Sequence, residues 1–147
     1  MLQLVSFHVP GKPQGKARAR TFYSDEARKH MSYTPDGTLL YENLIKTMYM
    51  KEAQGVMYEK GTPVVLHIVA RYLPTKSTSK KSLRQMLDGK IFPLKKPDMD
   101  NIIKVVADAL NGVAYHDDTQ IMMVCAKKVY SSLEGLDVTV GEYSNEG

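Results

Sequence analysis

The chain has 147 residues, 43% of them apolar and 24% charged, with a formal net charge of +4. That length fits a single domain over residues 1–147, able to bury a core without disulfides or a structural metal, and the composition excludes a disordered or fibrous chain. The one cysteine, Cys125, has no internal disulfide partner, so a reducing, cytoplasmic compartment is expected. MLQLVSFHVPGKP has no basic segment before a long apolar run, so no secretory leader is expected, and no apolar run is long enough to span a membrane.

Residues 2–9, LQLVSFHV, alternate like a strand that Pro10–Gly11 ends. GKPQGKARART follows, an irregular segment whose glycines permit close backbone approach and whose Lys12, Lys16, Arg18 and Arg20 suit phosphate contact. A flexible, merely solubilising loop is the other reading. Leu40, Tyr41, Leu44, Ile45 and Met48 mark an amphipathic helix over residues 38–54, with Asp36–Gly37–Thr38 as turn and cap and Gly55 as its stop. Its methionines read as packing residues. PVVLHIVARY, residues 63–72, predicts a central strand. His67 within it reads as a satisfied core or interface residue, and Cys125 as a small core residue.

LPTKSTSKKSLRQMLDGK is a basic excursion with a short helix near residues 82–87. Residues 121–130 and 136–142 predict two more strands joined by a turn at residues 131–135, and the tail SNEG is expected to fray.

Charge is distributed unevenly. Residues 1–96 hold 17 Lys/Arg and 7 Asp/Glu, whereas residues 97–147 hold 3 and 9. A basic body with a compact acidic spot suits an enzyme acting on a polyanion: the body attracts phosphates and the spot holds cations. Solvated basic loops ahead of a more acidic end would look the same.

The acidic spot is KPDMDNIIKVVADALNGVAYHDDTQI, which holds Asp98, Asp100, Asp108, Asp117 and Asp118. In an extended segment Asp98 and Asp100 would share a face just ahead of a helix. Ile102, Ile103, Val106, Ala107 and Leu110 mark that helix, and Asn111–Gly112 ends it. Asp117–Asp118 opens the next strand, and this connection is short enough to bring the pair beside the helix start. Three or four carboxylates sharing a site repel one another. A divalent cation relieves this, and an all-oxygen donor set favours Mg²⁺ or Mn²⁺. Lys104 would stabilise charge on a phosphoryl group. Taken singly, each residue has a plainer role: a cap for Asp98 or Asp100, a turn for Asp117–Asp118, a solvated charge for Asp108, and an i, i+4 pair with Asp100 for Lys104.

The combination DxDN-x₂-K-x₃-DAL-NG…DD-x-QI resembles the signature of the RusA family of Holliday-junction resolvases, often carried by phages and prophages. The match is strong over residues 95–124 and looser over the first strand and GKPQGKARAR. The resemblance implies a mixed α/β (α+β) fold, a small mixed sheet of about four strands with two main helices packed on it. It implies a homodimeric, Mg²⁺-dependent endonuclease (Mn²⁺ may substitute) that cuts four-way DNA junctions by paired symmetric nicks, with no small-molecule cofactor and no membrane. By the family pattern Asp98, Asp100 and Asp118 are catalytic and hold the metal, Lys104 is catalytic, and Asp117 sits beside the metal. The NGVAYH connection is one residue shorter than in the family's best-studied type, and the basic excursion is longer, which opens the question of junction selectivity.

Lys16, Arg18, Arg20, Lys80, Lys81, Lys95 and Lys96 are expected to bind phosphates without reading bases. Three rivals stand beside this reading: a Mg²⁺ nuclease for flaps or other branched DNA, a DNA-binding protein whose acidic cluster is structural, and a phosphohydrolase acting on something other than nucleic acid.

Overall fold

The computed structural model describes residues 3–145. The expected strand start at Leu2 and the last two residues of the tail lie outside them. In chain order the elements are β1 (Leu4–Pro10), β2 (Arg20–Ser24), β3 (Lys29–Tyr33), α1 (Asp36–Ala53), β4 (Val64–Tyr72), α2 (Lys80–Leu87), α3 (Met99–Leu110), a 3-10 turn (Asp118–Gln120), β5 (Ile121–Tyr130) and β6 (Gly135–Glu142). The mixed α/β class is as expected.

The main sheet has the order β1-β6-β4-β5. β4 runs parallel to β5 and antiparallel to β6, and β1 is antiparallel to β6. A parallel pair needs a long crossover, and here the chain from Leu73 to Gln120 provides it and carries α2 and α3. β5 and β6 follow one another in sequence but do not pair, because β4 lies between them. The turn joining them crosses the end of β4, where Ser131 N–H donates to Tyr72 O at 2.9 Å.

Period-2 alternation sets which face is buried. Val5, Phe7 and Val9 of β1, Val64, Leu66, Ile68, Ala70 and Tyr72 of β4, and Leu136, Val138 and Val140 of β6 form one apolar face. Helix α1 covers it with Tyr41, Ile45, Tyr49 and Ala53, and α3 with Ile102, Val105, Val106, Ala109 and Leu110. Phe7 meets Tyr49 edge-on at 5.7 Å between ring centroids, a favoured aromatic geometry.

Among the described residues, those that α1 and α3 bury belong to the core on this face and not the opposite one. His67 and Cys125 lie side by side there, and both are exposed. Cys125 is thus not the core residue the sequence suggested, and of the two places expected for His67, core or interface, the core is excluded, because alternation turns both side chains away from the core. Of the α1 methionines Met48 packs on the core, whereas Met50 is exposed. α1 also starts differently from expectation. Pro35 stands at its N-cap with no side-chain cap, and Thr38 is buried instead.

On the opposite face Asp137 accepts from Arg71 Nε and lies 2.7 Å from His8 Nδ1. Burial raises the Asp137 pKa, but the Arg71 and His8 hydrogen bonds more than offset it, so the value falls below 3.8. A depressed carboxylate contributes its stability above its unfolded value and loses it as pH falls through the folded one. Both partners are about a third exposed, so the contribution is less than about 1 kcal/mol. Asp137→Asn is therefore expected to lower stability by that amount at pH 7, with the difference vanishing in acid below the carboxylate range. Urea unfolding of both proteins at the two pH values checks this.

Candidate active site

Burying Ile102, Val105, Val106, Ala109 and Leu110 fixes the roll of α3 about its axis. The stripe Asp100, Lys104, Asp108, spaced i, i+4, i+8, is then held off the core. Asp98 is the N-cap residue in extended conformation, and Asp100 lies in the first helical turn. The two aspartates therefore do not alternate along one extended segment, as the sequence suggested. They flank the start of α3, where the helix dipole favours negative charge. Asp98 makes no side-chain cap, and among the described residues neither carboxylate has a hydrogen-bond or ion-pair partner.

The irregular arm of residues 11–19 docks on this helix. Lys16 N–H donates to Asn101 O at 2.9 Å, and Ala17 N–H donates to Thr38 Oγ1 at 3.3 Å. Gly15 permits the approach: a Cβ there would stand 2.9 Å from Cβ of both Pro97 and Asn101. Docking turns the Lys16 side chain inward. Its Nζ donates to Glu42 Oε1 at 2.8 Å and lies 3.2 Å from Asp108 Oδ2, and the side chain is only 17% exposed. Partial burial alone would lower its pKa, but the two carboxylates more than offset that and raise it. Lys16, expected on the DNA-contacting surface, is in this structure an internal counter-ion.

Asp108 is correspondingly no solvated charge. It holds Lys16 and also Lys104, whose Nζ lies 3.4 Å away. The i, i+4 partner of Lys104 is thus Asp108 and not Asp100. Glu42 escaped sequence reasoning, since nothing in the helical pattern of α1 distinguishes it from any other polar position.

The loop after α3 is folded back by Tyr115, which is buried and donates its hydroxyl to Ala107 O at 2.6 Å. Gly112 N–H donates to Tyr115 O at 2.9 Å, and Tyr58 N–H to Ala114 O at 2.8 Å. Gln120 closes the next turn: its Oε1 accepts from His116 N–H at 2.8 Å and Asp117 N–H at 3.2 Å, and its Nε2 donates to Glu59 O at 2.8 Å. Asp117 is exposed and caps this turn, whereas Asp118 is half-buried within electrostatic range of Asp108 and Lys104. The hydrogen bond that the Asp118 carboxyl donates to Asp117, burial and the charges of Asp117 and Asp108 all raise the Asp118 pKa, and Lys104 opposes them. Asp118 therefore lies in reach of the α3 side chains Lys104 and Asp108.

Among the described residues no three His, Cys, Asp or Glu side chains are gathered closely enough to form a preformed metal site. The donor chemistry nonetheless fits a hard divalent cation. Asp98 and Asp100 are unpaired carboxylates at a helix start, Asp118 meets the negative charge of Asp117 and Asp108, and every candidate donor atom is oxygen.

Two clefts carry the basic side chains. One, of about 340 Å³, is lined by Lys12, Gly15, Lys16, Lys96, Pro97, Asp98 and Asn101, so it joins cations to the candidate site. The other, of about 450 Å³, is lined by Lys80, Lys81, Arg84, Gln85, Asp88 and Lys90 on and after α2. Arg18 and Arg20 are exposed on the arm. Lys95 lies over the rings of Tyr72 and Tyr130, 5.6 and 5.8 Å from their centroids.

Residues 10–141 match the family described as Endodeoxyribonuclease RusA. A relative, "Uncharacterized protein YqaN" of Bacillus subtilis (strain 168), is 38% identical over 152 residues, covering 97% of this chain and 99% of that protein.

Gly15→Ala should push the arm off α3, because both opposing carbons are tied to backbone and cannot swing away. The expected cost is about 1–3 kcal/mol. Limited trypsin digestion should cut faster at Lys16, Arg18 and Arg20, and a wild-type digestion pattern would show that the arm tolerates the extra carbon.

Proposed function

The chain belongs to the RusA endodeoxyribonuclease family, and from that premise we propose that it is a metal-dependent endonuclease that resolves four-way DNA junctions by paired, symmetric nicks. The observation that carries this reading is the family match over residues 10–141, on a chain whose Asp98, Asp100, Lys104 and Asp118 all lie on or beside α3.

Asp98, Asp100 and Asp118 would hold Mg²⁺, or Mn²⁺ in its place, with Asp117 at the margin. When bound, such a cation supplies an acidified water and neutralises charge on phosphoryl oxygens. The chain's own residues do the rest. Lys104 is 61% exposed, so its ammonium is free to leave Asp108 and meet negative charge developing on the scissile phosphate. Lys16 bridges Glu42 and Asp108 and so keeps α1, the arm and α3 in register. Arg18, Arg20, Lys80, Lys81, Lys95 and Lys96 grip the sugar-phosphate backbone, and contacts of this kind weaken steeply with salt. A four-way junction has approximate two-fold symmetry, so paired cuts call for two copies of the chain related by a two-fold axis.

Cleavage of a labelled synthetic four-way junction tests the proposal. Linear duplex, flap and splayed-arm DNA run alongside, each with Mg²⁺, Mn²⁺, Ca²⁺ or EDTA. Paired nicks confined to the junction and dependent on Mg²⁺ or Mn²⁺ are expected. Asp100→Asn should retain junction binding and lose cleavage by at least about a hundredfold. Comparable cutting of flaps and forks would assign a broader branched-DNA nuclease. Junction binding without cutting under every metal would leave the aspartates as structure and overturn the catalytic reading.

A further inference from the structure

The β2–β3 hairpin stands apart from the rest of the molecule. Its strands hydrogen-bond to each other and join no other strand. Nine of its ten strand residues are exposed, Ser24 being half-buried. An isolated two-stranded ribbon is marginal in water, and this one also displays large apolar side chains: Phe22, Tyr23, Met31 and Tyr33.

The register sorts those side chains into two faces. Arg20 lies opposite Tyr33, Phe22 opposite Met31, and Ser24 opposite Lys29. One face therefore carries Phe22, Met31 and Tyr33, with Arg20 at one end and Lys29 at the other. The Phe22 and Tyr33 rings are neighbours on the diagonal, 6.0 Å between centroids. The other face carries Tyr23 edge-on to His30 at 5.4 Å.

Flat apolar groups bracketed by cations match one occupant: a nucleobase on the rings, with its flanking phosphates on the cations. The ribbon also leaves the body through the arm that docks on the first turn of α3, so it springs from the edge of the acidic site. In a continuous duplex every base face is already covered by its neighbours. Only interrupted stacking, as at a branch point, offers bases to such a plate.

We propose that the β2–β3 hairpin is a base-stacking element, in which Phe22, Met31 and Tyr33 take unpaired or unstacked bases while Arg20 and Lys29 hold the adjoining phosphates. This selects branched DNA over duplex. The inference rests on the nuclease reading for its choice of DNA.

The test is affinity in EDTA, where no cutting intrudes, for a fluorescent four-way junction, a linear duplex and a single-stranded oligothymidine. The proteins are wild type, Phe22→Leu/Tyr33→Leu and the aromatic control Phe22→Tyr/Tyr33→Phe. Permanganate oxidation of thymines at the branch point reports unstacking directly. Stacking losses per base correspond to about fivefold to a hundredfold in affinity. The leucine pair should lose at least fivefold on junction and single strand and under about threefold on duplex. It should also fail to enhance thymine oxidation, while the aromatic control behaves as wild type. Equal losses on all three DNAs, or none, would overturn the inference. So would a wild-type dimer that becomes monomeric in the leucine pair with DNA preference unchanged, since the occupant would then be a second copy of the chain. Hairpin-dependent preference without cleavage under any metal would sink the nuclease reading alone. Junction cleavage with preference indifferent to the hairpin would sink this inference alone.

Discussion

The burial of one stripe of α3 is the constraint on which the rest of the site depends. Ile102, Val105, Val106, Ala109 and Leu110 join the core of the sheet. A helix has a single rotational setting that buries such a stripe. That setting decides what the remaining positions meet: Asp100, Lys104 and Asp108 are held away from the sheet, and Asn101 faces the arm. The hydrophobic effect is non-directional, yet through the helical period it sets the direction of every charged group in the site.

A second constraint is electrostatic. Asp108 and Glu42 approach one another from different helices, and α1 and α3 could not pack this way with both charges uncompensated. Lys16 relieves the repulsion from a segment that has no regular structure of its own. The arm is thus ordered by contacts at its middle: a glycine pressed against Pro97 and Asn101, a backbone hydrogen bond to Asn101, and one internal cation. The net positive charge of the chain and its acidic spot are not in conflict, because part of the positive charge is folded into the spot.

Periodicity made the scaffold legible. β1, β4, α3 and β6 each carry a repeat that matches the face they bury, and β4 is interior to the sheet as its apolar run suggested; α1 matches only in part, since Leu40 of the expected stripe is exposed while Tyr49 and Ala53 are buried. The β2–β3 hairpin was not legible, because RTFYS and KHMSY are short and bury nothing in the core. The exposure of Cys125 was not legible for a related reason. An apolar strand says that one face is buried without saying whether anything covers the other. The pairing of Lys16 with Glu42 bridges 26 positions, and no local pattern reports a contact at that separation. Asp98 and Asp100 do lie at a helix start, but the helix begins at Met99, two residues earlier than an extended Asp-x-Asp requires.

The two lysines on Asp108 differ in a way that matters for function. Lys16 has a second carboxylate and little exposure, so displacing it would strand Glu42 without a partner and leave Asp108 only the exposed Lys104. Lys104 has one partner and is mostly in solvent, where an ion pair is worth little. An incoming phosphate therefore competes easily for Lys104 and poorly for Lys16. The same carboxylate anchors a structural cation and parks a mobile one, and the difference in burial alone separates their roles.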